Sequence, residues 1–218
     1  MVELATNYNI DGIHFDDYFY PYSGLSETVN DIVDYENRED KSVSLGDFRR
    51  GHVNDVIRGI YQEIKKIDSN LKFGVSPFGI WKNKTSDELG SNTAPACSES
   101  YSGQFADTYA WIKEGIIDYV VPQIYWQFGH KIAPFADICD WWVSVCKDTS
   151  VDLYIGHAAY RLGEEGDFEN KLEIVNQVKY ANQFDTVKGN VFFTHKNFIE
   201  DNKVKEGMKE LKRLLNKE

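Results

Sequence analysis

With 218 residues, 42% of them hydrophobic and 27% charged, the chain suits one globular domain with a sizeable core. Its 35 acidic residues outweigh 24 basic ones, for a net charge of -11. That balance argues against nucleic acid or an anionic membrane surface as a partner, because both select a basic footprint. Aromatics at 14% exceed what such a domain requires and hint at a binding cleft.

The chain opens on "VELATNYN", which reads as the last turns of a helix, and "GIHFDDY" (12–18) follows as a strand. A polar loop runs to about residue 50, and Val53, Ile57, Ile60, Ile64 and Ile67 then recur at helical spacing over 52–67. "LKFGVSPF" (71–78) is a second strand, with a Gly/Ser/Thr/Asn-rich loop to about 104. A helix over 105–116 leads to a strand over 118–126, and a proline-opened helix over 134–149 leads to a strand over 151–160. The pattern closes with a helix over 168–184, a strand over 189–195 and a helix over 202–217. Cys97, Cys139 and Cys146 lack metal-type spacing, and the last two, seven apart on roughly one helix face, are expected in the core. No apolar run is long enough to span a bilayer, and no signal-peptide pattern follows Met1.

Strict alternation of strand and helix implies parallel strands joined by right-handed crossovers. No glycine-rich phosphate turn follows the first strand, which disfavours a dinucleotide fold. The long, aromatic-rich segments all follow strand C-termini, whereas the returns ("DSN", "DTS", "DTVK") are short, as in barrel enzymes. The expected fold is therefore α/β of the (β/α)8 TIM-barrel type. Five strand–helix units cannot close eight strands, so the expectation is one partial barrel domain over 1–218 holding strands four to eight, with the N-terminal units missing. Open parallel edges would make self-association possible.

Four ordered motifs, "DGIHFDDYFYP", "GVSPFGIW", "DYVVPQIYW" and "YIGHAAYRLG", resemble the glycosyl-hydrolase-like family ten domain over about residues 1–200. The resemblance implies a (β/α)8 glycosidase of bacterial envelope or secreted proteins, often lipoproteins. It implies action on an envelope polysaccharide, with peptidoglycan glycan strands favoured, and an extracytoplasmic location. No cofactor and no metal are implied.

Glycoside hydrolysis needs two carboxyl groups, one ionised and one protonated. Alternation puts Ile13 and Phe15 on the helix face, so His14 and Asp16 point toward the barrel axis, and Asp17 falls at the strand end. Asp16 is the candidate catalytic carboxylate, with Asp17 orienting it or a substrate hydroxyl; a merely solvated strand end is the bland reading. His14 is either a hydroxyl-binding imidazole or a satisfied core histidine. Tyr18, Phe78, Trp81, Tyr125, Trp126 and Tyr160 are candidate sugar platforms, although an aromatic at such a position is more often core. Ser76, Gln123, His157 and Arg161 are candidate polar partners, with Thr194 and His195 on the last strand, and Gly156, Ala158 and Ala159 leave room near the axis. Candidates for a second carboxyl are Glu99, Glu164, Glu165 and, at the wrong end of its strand, Asp118. Two alternatives stay open: a carbohydrate-binding barrel without catalysis, and a metal-dependent hydrolase using His14, Asp16, Asp17 and His157.

Overall fold

The computed structural model describes residues 1–26, 30–199 and 205–216. Helix α1 (Val2–Asn7) precedes strand β1 (Gly12–Phe15). Helices α2 (Ile32–Asn37) and α3 (Leu45–Ile67) lead to β2 (Lys72–Val75), and α4 (Ser100–Gly103) and α5 (Thr108–Glu114) to β3 (Tyr119–Val120). Then come α6 (Phe135–Cys146), β4 (Asp152–His157), α7 (Glu173–Ala181), β5 (Val187–Phe192), α8 (Lys196–Ile199) and α9 (Lys205–Asn216). The start of the closing helix expected over 202–217, residues 202–204, lies outside the described residues, as does residue 217.

The five strands form one sheet in the order β1-β2-β3-β4-β5, and every pair is parallel. Consecutive order with helical crossovers is the arrangement of a barrel arc rather than of a doubly wound sheet. One face of the sheet is the core: Phe73, Val75, Val120, Leu153 and Ile155 are fully buried. Against them pack Val53, Ile57 and Ile64 of α3, Trp111 and Ile112 of α5, and Phe135, Ile138 and Trp142 of α6. Cys139 and Cys146 lie inside this layer, as their spacing suggested. A smaller cluster joins α7 to α9 through Ile174, Val178, Met208 and Leu211.

Most element boundaries differ from the sequence pattern, and three of the differences have a clear local reason. Helix α3 starts seven residues before 52, because Ser44 caps it by accepting Asp47 N–H (3.1 Å), and its first two turns carry no buried residue. Those turns are tied down by charge instead: Arg49 pairs with Asp31 (2.7 Å), and Arg50 donates to the Tyr101 carbonyl (3.0 Å). Strand β3 stops at Val120 because Pro122 has no N–H to give; beyond it Gln123 rejoins the sheet through single bridges to Phe78 and Gly156. Helix α5 begins only at Thr108, since Phe105 adopts φ 53° and Asp107 caps the helix; Gly115, at φ 65°, ends it.

On the concave face Gly74 lies under the Tyr119 ring, where an added Cβ would fall 2.4 Å from ring carbons. Gly74→Ala should therefore push Tyr119 aside and cost about 1–3 kcal/mol, the usual range for overpacking. Urea unfolding of the variant beside the parent measures it, and an unchanged midpoint would show that the ring moves freely.

Candidate active site

Strand β1 sets the site by alternation. Ile13 is buried against the helices, while His14 and Asp16 project from the opposite, concave face. The His14 ring is hydrogen-bonded through Nδ1 to Tyr119 Oη (3.0 Å) and through Nε2 to Ser76 Oγ (2.6 Å), and it lies nearly parallel to the Tyr119 ring. Burial holds the His14 pKa below its ordinary value against the opposing pull of the Asp16 charge, so the imidazole is neutral at pH 7.

Asp16 is exposed, and its Oδ1 accepts two hydrogen bonds, from Gln123 Nε2 (2.7 Å) and from the Asp17 backbone N–H (2.8 Å). Gln123 also donates from Nε2 to the Ser76 carbonyl (2.9 Å), which fixes the amide between β2 and β3. Asp17, just beyond the end of β1, is 6% exposed, with Tyr22 Oη donating to its Oδ2. Burial pushes the Asp17 carboxyl up; the Tyr22 hydrogen bond opposes this and the Asp16 charge adds to it. The Tyr22 phenol is pushed up in turn, by burial and by its bond to Asp17, and stays protonated. Adjacent residues thus supply an exposed, doubly hydrogen-bonded carboxyl and a buried one of raised proton affinity.

These groups open on a cleft of about 510 Å³ at the C-terminal ends of the strands. Tyr18 and Tyr22 stand on the β1 side. On the β3–β5 side the Tyr125 and Phe193 rings stack at 6.2 Å, and Tyr160 meets each edge-on at 6.0 Å. Val121, Gly156 and Val191 line the floor between them.

A profile of the family described as glycosyl hydrolase-like 10 matches residues 1–174. The chain belongs to the glycosyl hydrolase-like 10 family. It is 41% identical over 197 residues to glycosyl hydrolase YngK of Bacillus subtilis (strain 168), covering 89% of this chain and 38% of that protein. It is 39% identical over 169 residues to glycosyl hydrolase DigH of Escherichia coli (strain K12), covering 78% of this chain and 38% of that one. The chain therefore spans well under half the length of these relatives. The parallel sheet agrees with the family's TIM-barrel fold as a partial barrel. No helix among the described residues is long and apolar enough to cross a membrane.

Within this glycosyl hydrolase-like domain the structure brings His14, Asp16, Asp17, Tyr18, Gln123, Tyr125 and Tyr160 to one cleft. The other candidates lie elsewhere. His157 shares its strand face with Leu153 and Ile155, so it is fully buried on the helix side, between the Phe135 and Phe192 rings. Trp81 folds back into the core, stacking on Tyr109 and Trp141 and donating to Asp107 (3.0 Å). Phe78 and Trp126 pack edge-on against each other, and Phe78 also touches the Tyr22 ring, bracing the cleft wall from behind. Arg161 is spent on Glu164 and on the Tyr125 carbonyl (2.8 Å each) rather than on Asp16 or Asp17.

None of the further carboxyl candidates lines the cleft. Glu99 accepts from Asn83 N and Nδ2 (2.8 Å each), holding its own loop. Asp118 binds Phe73 N–H (2.7 Å) and Lys65 (2.9 Å) at the opposite end of the sheet, Glu164 holds Arg161, and Glu165 is exposed. Thr194 N–H donates to Asn197 Oδ1 in the turn before α8, and His195 is exposed. Among the described residues no three His, Cys, Asp or Glu side chains converge as a metal site, and His157 lies across the sheet from His14 and Asp16. Five cleft residues escaped the sequence reading: Tyr22, Val121, Val191, Phe192 and Phe193. Phe193 was signalled by its parity with Gly189 and Val191, and Tyr22 only by its place in the aromatic run after Asp17.

The Tyr22–Asp17 contact has a signed consequence. The donor favours the charged carboxyl, so Tyr22→Phe should raise the Asp17 pKa further, seen as an upward shift in a carboxyl carbon NMR titration. A folded pKa above the unfolded one means stability present below the ordinary 3.8 and lost as pH rises through the folded value. Tyr22→Phe should therefore lose more stability at pH 7 than at pH 4. Equal losses at both would show that the phenol does not act on this carboxyl.

Proposed function

We propose that this domain forms the acid/base face of a glycoside hydrolase acting on a bacterial cell-envelope polysaccharide, with peptidoglycan glycan strands as the substrate class. The observation that carries the reading is Asp16: an exposed carboxylate, oriented by Gln123 and by the Asp17 N–H, facing a cleft walled by aromatic rings. Asp16 acts as the primary catalytic carboxylate. Asp17, two-fold in use, orients Asp16 through its backbone and holds the more tightly bound proton. Tyr18, Tyr125 and Tyr160 take sugar ring faces, the Gln123 amide oxygen serves a hydroxyl, and neutral His14, held at both ring nitrogens by Tyr119 and Ser76, fixes the wall beneath Asp16. The family and the names of the two relatives support glycosidase chemistry; the envelope substrate and an extracytoplasmic location rest on the family resemblance.

A second reading is a carbohydrate-binding cleft without turnover. It is favoured by one observation: Asp16 and Asp17 are the only carboxyl residues lining the cleft among the described residues, and they are neighbours in sequence. One substitution separates the two. In the longest natural protein containing these residues, Asp16→Asn should lower reducing-end release from peptidoglycan glycan strands by about 100-fold or more, the usual worth of a positioned acid or base. Glycan binding should survive, and the exposed Glu165→Gln control should turn over normally. Near-parental cleavage by Asp16→Asn would remove Asp16 from the chemistry, and a parent protein that binds glycan yet releases no ends would favour the binding reading.

A further inference from the structure

Three polar side chains, His157, Glu173 and Gln177, sit almost without solvent contact in the layer between the sheet and α7. Burying such groups is unfavourable unless each finds partners, and these do. Gln177 Nε2 donates to the Trp126 carbonyl and to Glu173 Oε1 (3.1 Å each). Glu173 Oε1 also accepts the Phe128 backbone N–H (2.9 Å). With both amide hydrogens committed, Gln177 Oε1 must accept, so His157 donates to it from Nδ1 (3.1 Å). On the other side of the ring, Nε2 faces Asn190 Oδ1 (2.8 Å), and the Asn190 Nδ2 in turn donates to Asn182 Oδ1 (2.9 Å). Burial lowers the His157 pKa, opposed by the hydrogen bonds to Asn190 and Gln177.

Both working ends of this network land on the backbone just after Tyr125. Neighbouring contacts converge on the same segment: Arg161 donates to the Tyr125 carbonyl (2.8 Å), and Asp167 accepts the Gly129 N–H (2.7 Å). An apolar pair could have filled the layer equally well, so the polar choice points to the segment it holds. We propose that Glu173 and Gln177 are positioning residues that hold the Trp126–Phe128 backbone and thereby fix the Tyr125 wall of the cleft. For its effect on substrate, this rests on the reading of the cleft as a sugar site.

The test uses the longest natural protein containing these residues, with soluble peptidoglycan glycan fragments as the probe. Glu173→Leu and Gln177→Leu should speed amide exchange at Phe128 by about 10-fold or more while leaving the 82–99 loop at the parent rate, and Glu173→Gln, which keeps an acceptor oxygen, should restore most of the protection. Each Leu variant should raise KM about 10-fold with kcat within about 2-fold, the pattern of lost binding rather than lost chemistry. Combined with Tyr125→Ala, neither should raise KM further, because both changes remove the same wall. Unchanged exchange at Phe128, exchange raised alike across the chain, or additive effects on KM would each overturn the proposal. If Tyr125→Ala alone leaves KM unchanged, it is the sugar-site reading that has failed, and exchange at Phe128 with its rescue by Glu173→Gln then decides the clamp by itself.

Discussion

A single side-chain amide ties the first strand to the third. Gln123 Nε2 reaches Asp16 Oδ1 and the Ser76 carbonyl, so both sides of the site are referenced to one group. That reach depends on backbones closing tightly around Gln123. A Cβ on Gly79 would fall 2.4 Å from the Gln123 carbonyl oxygen, and one on Gly156 would fall 2.7 Å from that of Pro122. The two glycines are needed for close approach, not for unusual dihedrals. Pro122 contributes by omission: with no N–H at that position the ladder breaks, and Gln123 is freed to aim its side chain across the cleft.

The second constraint is where the first strand ends. Asp16 and Asp17 follow directly on the last residue of β1, and the chain there leaves Asp16 exposed and Asp17 buried at the edge of the same cleft. Burial then separates their chemistry without any third charged residue. The open carboxyl keeps two strong donors, whereas the buried one has a phenol donating to it and is pushed up by its burial. Tyr22 can serve only if its ring is held in place, and Phe78 and Tyr18 pack against its edges. A residue expected to touch sugar, Phe78, therefore matters as a brace.

Strand parity explains what could be read from the sequence and what could not. Alternation in "GIHFDDY" separates the helix-facing Ile13 and Phe15 from His14 and Asp16, and the structure keeps that division. It applies equally to "DLYIGH", where His157 falls in step with Leu153 and Ile155 and so belongs to the core. The small residues that follow it suggested open space and masked that signal. Trp81 was unreadable for another reason: the loop after β2 curls back so that its indole meets Asp107 and Trp141, contacts set by tertiary folding and not by local pattern. The early start of α3 was hidden because its first turns are held by Ser44, Asp31 and the Tyr101 carbonyl, which leave no apolar period.

The charge of the chain bears on how such a cleft would choose a ligand. A net charge of -11 gives no long-range attraction for anionic polymers, and the cleft itself presents two carboxyl groups. On the proposed sugar-cleft reading, recognition then comes from short-range contacts: ring faces against aromatic walls and hydroxyls against the fixed Gln123 amide. Short-range contacts reward geometry within fractions of an ångström, so a wall that drifts loses most of its value. Hence the heavy anchoring beneath the rim. Tyr119 holds His14, Ser76 and Gln123 hold one another, and the α7 side chains hold the segment behind Tyr125. On the α7 side, polar groups are buried where they hold the backbone behind Tyr125, and the apolar core packs around them.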